Sequence, residues 1–232
     1  MKGGGLSYGR YSTGGSEEWI MRIGDESAAP ILLLPPLFEE MNRTRAFMAS
    51  VMRALALRSF SCWLPDLPGT GESEAALETC TWDDWRNAAR DAAQHAAAAS
   101  GKQLLTASFR GGALLDDAIA AAGHWRFAPA EGASLARDLI RSAMLSPEAM
   151  QGPVVELAGY RIGEALLAEL SASKLAQPEQ LRTVRLESDR GEAVSKIAAP
   201  ALWRRSEPAT SLETADLVAS DIKTWADQCG NC

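Results

Sequence analysis

The chain has 232 residues, 23 Lys plus Arg against 30 Asp plus Glu, a formal net charge of −7 and 47% hydrophobic residues. That length buries about 70–75% of the unfolded surface, and an acidic chain with no Lys/Arg run to reverse its field is a poor partner for nucleic acid. The longest apolar run, residues 28–34, falls far short of the roughly 20 a membrane helix needs, and the glycine-rich N-terminus lacks a secretory apolar stretch, so a cytoplasmic protein is expected.

Strands and helices alternate along the chain. Residues 19–23 read as an early strand, closed by turn formers at 24–27. Residues 31–34 are wholly apolar and stopped by Pro35-Pro36, the pattern of a strand buried on both faces. Residues 43–57 carry Phe47, Val51, Met52 and Leu55 at helical spacing, and 60–64 make the next buried strand. After a turn-rich stretch at 66–73, Thr81 caps a helix running to about Ser100. Asp83 and Asp84 sit in its first turn, where the helix dipole favours negative charge, and Gly101 stops it. A strand at 103–107, a helix at 111–122 and a weaker strand at 125–127 follow. Helices at 135–145 and 163–170, strands at 183–187 and 200–203, and a helix at 212–225 complete the chain. This order predicts one three-layer α/β/α domain over 1–232 with a mostly parallel sheet. Ligands bind such sheets at the carboxyl ends of the strands, which singles out the loops 35–45, 66–73 and 108–112.

Four cysteines are too few to scaffold a domain of this size. Cys229-Gly230-Asn231-Cys232 has C-x-x-C spacing but no second pair and no preceding strand, so it reads as a tail and not as a redox or zinc site. No H-x-H, H-E-x-x-H or D-x-D spacing and no phosphate loop occurs, so neither metal nor cofactor is expected.

Pro30-Ile31-Leu32-Leu33-Leu34-Pro35-Pro36-Leu37-Phe38 resembles the strand and loop with which α/β-hydrolases supply one oxyanion-hole amide. Asp66-Leu67-Pro68-Gly69-Thr70-Gly71-Glu72-Ser73 resembles their D-x-x-G-x-G-x-S loop, and Thr81-Trp82-Asp83-Asp84-Trp85 the start of the helix after it. A narrower resemblance rests on Phe38-Glu39-Glu40-Met41-Asn42-Arg43-Thr44-Arg45, on the 66–73 loop and on Phe109-Arg110-Gly111-Gly112-Ala113-Leu114-Leu115. With Leu202-Trp203-Arg204-Arg205-Ser206-Glu207, similar to an F-W-x-x-x-E segment, these look like the exosortase A system-associated hydrolase 2 family. Residues 130–200 carry only faint similarity. The resemblance implies an α/β-hydrolase-like fold with a small lid-like insertion around 130–180, in a bacterial cytoplasmic protein linked to exopolysaccharide production and protein sorting. It implies no known reaction.

A hydrolase of this fold needs a nucleophile on a strained strand-to-helix turn, normally in G-x-S-x-G. With Gly112 as the second glycine, Arg110 takes the nucleophile position; with Gly111, Phe109 does. The resemblance favours the first register, and neither supplies a nucleophile. Ser108 serves only if the turn tightens around it. The base is missing too: His95 lies mid-helix, His124 precedes a strand at the far end of the sheet, and Glu187 or Asp189 at the acid position has no imidazole to orient. The expected site is therefore a binding site, for an anionic or acylated small molecule or a protein partner, built from Phe38, Glu39, Glu40, Asn42, Arg110, Trp203 and Glu207. An Arg110 guanidinium beside a helix N-terminus either holds an anion or pairs with a loop glutamate. Hydrolysis or acyl transfer through Ser108 or the carboxylates of Glu39 and Glu40 is the alternative.

Overall fold

The computed structural model describes residues 5–143 and 152–229. The chain runs β1 (Leu6–Thr13), β2 (Ser16–Ile23), β3 (Ala29–Leu34), α1 (Glu39–Ala56), β4 (Phe60–Pro65), α2 (Trp82–Ser100), β5 (Leu105–Phe109) and β6 (Gly123–Phe127). It continues through α3 (Gly132–Ala143), β7 (Val154–Leu157), β8 (Tyr160–Gly163), α4 (Glu164–Ala172), β9 (Leu181–Leu186), β10 (Ser195–Ile197) and α5 (Leu212–Cys229). Eight strands form one sheet in the order β1-β2-β4-β3-β5-β6-β9-β10, and β7 and β8 form a separate antiparallel hairpin. β1–β2 and β2–β4 are antiparallel and every other pair in the large sheet is parallel.

Strand alternation splits the core in two. Ile31 and Leu33 of β3 face α1 and α5, with Val51, Met52, Val218 and Ile222. Leu32 and Leu34 face α2, with Trp85 and Ala89, so a run apolar on both faces serves both layers. α2 begins as expected: the Thr81 side chain and Asp84 form a reciprocal capping box, and Gly101 ends the helix at φ 65°.

The structure departs from the sequence expectation in several places, four of them a change in which element is present. β1 was not expected, and its burial pattern explains why: only Tyr11 and Thr13 are fully buried. The hairpin β7–β8 was likewise not expected. The helix expected over 111–122 is two 3₁₀ segments, Arg110–Leu114 and Asp116–Ala118. Two adjacent glycines open it poorly, and Asp116 turns wholly inward to take Arg126 Nε and Nη2 at 2.8 and 2.7 Å and the Ser108 hydroxyl at 3.0 Å. The strand expected over 200–203 is a 3₁₀ turn, Leu202–Arg204, behind a proline that has no N–H for a ladder. The last strand lies earlier, at β10. The C-terminal Cys229/Cys232 spacing and the end of the helix expected over 135–145 reach outside the described residues.

Arg126 and Asp116 are 1% and 0% exposed, and Arg126 Nη1 also reaches Ala176 O at 2.7 Å. Removing one member leaves an uncompensated buried charge, so Asp116→Ala is expected to cost about 3–5 kcal/mol in urea unfolding. A cost under 1 kcal/mol contradicts this placement. His124, at the amino end of β6, is buried with Nδ1 3.0 Å from Thr106 Oγ1, and burial holds its pKa below 6.5. A depressed imidazole pKa means that the folded state binds the proton less readily than the unfolded chain. Stability is therefore complete above about pH 6.5 and falls as the pH drops through the folded value. The variant His124→Gln should flatten that part of the stability–pH curve, measured by urea midpoints from pH 7.5 to 5.

Candidate functional site

The cleft lies over the carboxyl end of β5. At that end Arg110 leaves the strand at φ 53°, a left-handed conformation costing a non-glycine residue roughly 1–2 kcal/mol. Two residues on, a Cβ at Gly112 would stand 2.5 Å from both Leu34 O and Pro35 O, so glycine is required. The geometry selects the register in which Gly112 is the second glycine and Arg110 the apex of the turn.

Ser108 is not on the turn. It pairs with Leu34 and Arg126 inside the sheet, is fully buried, and donates to Asp116 Oδ2. The expected strand end at Ala107 thus moves two residues later, and Ser108 loses its claim as a nucleophile.

Four contacts fix the Arg110 side chain. Nε donates to Glu40 Oε2 at 3.1 Å, Nη2 to Glu40 Oε1 at 3.0 Å and Nη1 to Ala128 O at 2.8 Å, and the guanidinium carbon stands 4.6 Å from the Trp203 ring centre. The bidentate pair is the fork geometry guanidinium and carboxylate favour. Of the two expected uses of Arg110, the pairing with a glutamate is therefore the one present. Glu39 and Glu40 lie in the first turn of α1, which starts four residues before the expected position. They diverge: Glu40 faces Arg110, and Glu39 Oε1 lies 3.3 Å from Arg43 Nε.

Phe38 precedes α1 at φ 55° and buries its ring against Trp85 and Tyr160, with centroids 5.4 and 5.7 Å away. Asn42 is exposed and donates to Tyr160 Oη at 2.7 Å, which ties α1 to the hairpin β7–β8. Trp203 lies at the inner wall, edge-on to Phe127, and its carbonyl accepts from Arg43 Nη1. Glu207 is exposed and lies outside the cleft lining.

The cleft has a volume of about 470 Å³. Sequence reasoning missed Arg43, Arg141 and Arg204, and the apolar Leu135 and Leu139 of α3. Arg204 was adjacent to a named residue in the 202–207 segment, and the helical spacing of Leu135 and Leu139 was the only signal for the other wall. Four arginines stand against three carboxylates, Glu39, Glu40 and Asp138, each of which has an arginine partner. Arg204 is exposed and makes no ion pair among the described residues. A net positive cleft in a chain of charge −7 concentrates anions locally.

Neither histidine reaches it. His95 is exposed on α2 against Trp63, and His124 is at the opposite end of the sheet. Asp189 folds back on its own loop, accepting from Arg185 Nη1 at 2.8 Å and Gly191 N at 2.9 Å. Burial alone would raise its pKa; these bonds and the nearby guanidiniums outweigh burial and hold it below the usual range. Among the described residues no cluster of three or more His, Cys, Asp or Glu is placed to hold a metal.

Solved structures of similar fold are numerous. The fold is α/β-hydrolase-like. The chain superposes on Est1E from Butyrivibrio proteoclasticus with a TM-score of 0.60 at 11% identity, covering 98% of this chain and 100% of that one. For a thermophilic esterase from Thermogutta terrifontis the values are 0.60, 14%, 96% and 99%. For mouse alpha/beta hydrolase domain-containing protein 10 they are 0.60, 13%, 96% and 99%. No family model and no curated protein matches the sequence.

A residue held at φ 53° reverses the usual order of glycine and alanine. Arg110→Gly is expected to be about 1 kcal/mol more stable than Arg110→Ala by urea unfolding, since both lose the same contacts and only alanine keeps the strain. An alanine variant as stable as the glycine variant contradicts the strained turn.

Proposed function

We propose that this α/β-hydrolase-like protein binds an anionic or acylated small molecule in the cleft and does not hydrolyse esters through a Ser-His-Asp triad. The observation that carries the reading is Arg110 at the apex of the turn, with its guanidinium paired to Glu40 and stacked on Trp203. The place where hydrolysis needs an oxygen nucleophile holds a cation that cannot be deprotonated. The ligand's charged group meets Arg204, with Arg43 behind it, and its apolar part lies along Leu37, Leu135 and Leu139. Ferulic acid bound to Est1E and malate bound to the Thermogutta esterase are carboxylic acids, the same ligand class.

The resemblance of residues 38–45, 66–73, 109–115 and 202–207 to the exosortase-associated family supports a bacterial, cytoplasmic role in an exopolysaccharide-associated pathway. A protein partner would use the same chemistry, placing a carboxylate side chain in the cleft. The hydrolase alternative has little to work with: Ser108 is fully buried within the sheet and bonded to Asp116, and the carboxylates of Glu39 and Glu40 are committed to Arg43 and Arg110.

Titration calorimetry with hexanoate, ferulate and phenyl phosphate tests the reading. At least one should bind saturably, and Arg204→Glu should weaken it by about tenfold or more, the value of a bond to a charged group. Absence of binding by all three, or indifference to Arg204→Glu, overturns it.

A further inference from the structure

A second cleft of about 410 Å³ opens on the other side of α1, between that helix, the outer face of β2 and the loop after β4. It shares no residue with the cleft above Arg110. Its walls are Trp19 and Met21 of β2, Met41 and Met48 of α1, and Leu64 with Pro65 at the end of β4. Three thioethers, an indole and a proline make a soft apolar surface that accommodates a flat ring, with sulfur–aromatic contacts available. Nothing in the described fold covers this face: Tyr8, at its edge on β1, is 60% exposed.

The charges at its mouth do not cancel. Arg10 lies over Trp19, 4.3 Å from the ring centre, and is balanced by Glu74 at 3.6 Å. Arg45 faces Glu72 at 3.9 Å. Asp66 is left over. It is half-buried at the polar end of the cleft, and its Oδ2 takes one backbone bond from Glu72 N at 3.0 Å. No cation lies within ion-pair distance of it among the described residues. The loop is built around that carboxyl: a Cβ at Gly71, where φ is 58°, would sit 2.3 Å from Asp66 Oδ1. An apolar cleft with one uncompensated, partly desolvated carboxylate takes a ligand of complementary form, an apolar body ending in a cation.

We propose that this cleft is a second binding site, for a small aromatic amine whose ring lies against Trp19, Met21 and Met41 and whose ammonium group pairs with Asp66. Burial also raises the Asp66 pKa, as expected of a carboxylate lacking a cationic partner, and Glu72 N–H and Arg45 only partly offset it. The site is opposite in charge preference to the cleft at Arg110 and independent of the reading given to that cleft.

The test uses 2-phenylethylamine and its near-isostere of opposite charge, 3-phenylpropanoate, titrated into the full chain at pH 7 and followed by tryptophan fluorescence and by calorimetry. The amine is expected to saturate one site. Asp66→Asn, which keeps an acceptor for Glu72 N–H, should weaken the amine by about tenfold or more, as loss of a charged hydrogen bond does. Met21→Trp, which fills the cleft from its half-buried β2 wall, should block the amine while the chain still unfolds cooperatively. That variant keeps the test valid if Asp66→Asn loosens the loop. The proposal is overturned if the amine fails to bind, if 3-phenylpropanoate competes with it for the same site, or if amine binding survives Met21→Trp. Loss of amine binding in Arg204→Glu would also overturn it, by placing the amine in the other cleft.

Discussion

The buried ion pair of Asp116 and Arg126 sets the shape of everything above the sheet. Arg126 stands on β6, Asp116 on the segment after β5, Ser108 on β5 itself, and Ala176 on the stretch leading to β9. Four pieces of chain are therefore held at one point, with no water-exposed charge to relax them. Burying the pair is expensive, and comparable apolar side chains would often do as well energetically. The pair instead ties down geometry: Asp116 meets Arg126 from the start of the second of two 3₁₀ segments, the first of which begins at Arg110.

From there the cleft follows from satisfied partners. A guanidinium at the apex of a strained turn, 13% exposed, needs a counter-charge, and Glu40 supplies it from the first turn of α1. The N-terminus of α1 accepts an acid readily because its unpaired N–H groups favour negative charge. Phe38 at φ 55° and Ala158 at φ 52° line the same opening as Arg110, so three non-glycine residues in left-handed conformations surround one cleft. Strain concentrated this way belongs to sites whose surroundings over-determine them. Here the surroundings are the Glu40 fork, the Ala128 carbonyl and the Trp203 face.

The parallel core was readable in the sequence because β3 and β4 are short, apolar and bounded by proline or turn residues, and because Thr81, Asp84 and Gly101 cap α2 by local chemistry. β1 was not readable: as an edge strand with one face open it carries Tyr11 as its only large buried apolar residue and has no run of apolar residues to announce it. The broken helix after Gly112 misled because Leu114, Leu115 and Ile119 keep helical spacing, while the long-range pull of Arg126 on Asp116 is invisible to any local pattern. At the site, Arg110, Glu40 and Trp203 converge as their loops suggested. Arg43 and Arg204 needed the fold, since nothing local marks one arginine of α1 or of the 202–204 turn as facing the cleft. Glu207, three residues beyond that turn, is exposed to solvent.

The proposal that this hydrolase-like scaffold works without serine chemistry is tested most directly by fluorophosphonate labelling. Only an activated hydroxyl reacts with this reagent, and loss of nucleophile or base removes about 10⁶ of the rate in a triad enzyme. The native chain is expected to take up no label under conditions that saturate an active serine esterase. Stoichiometric labelling at Ser108, mapped by peptide mass, would contradict the account, since it requires a hydroxyl that is buried against Asp116 to stand open to the cleft.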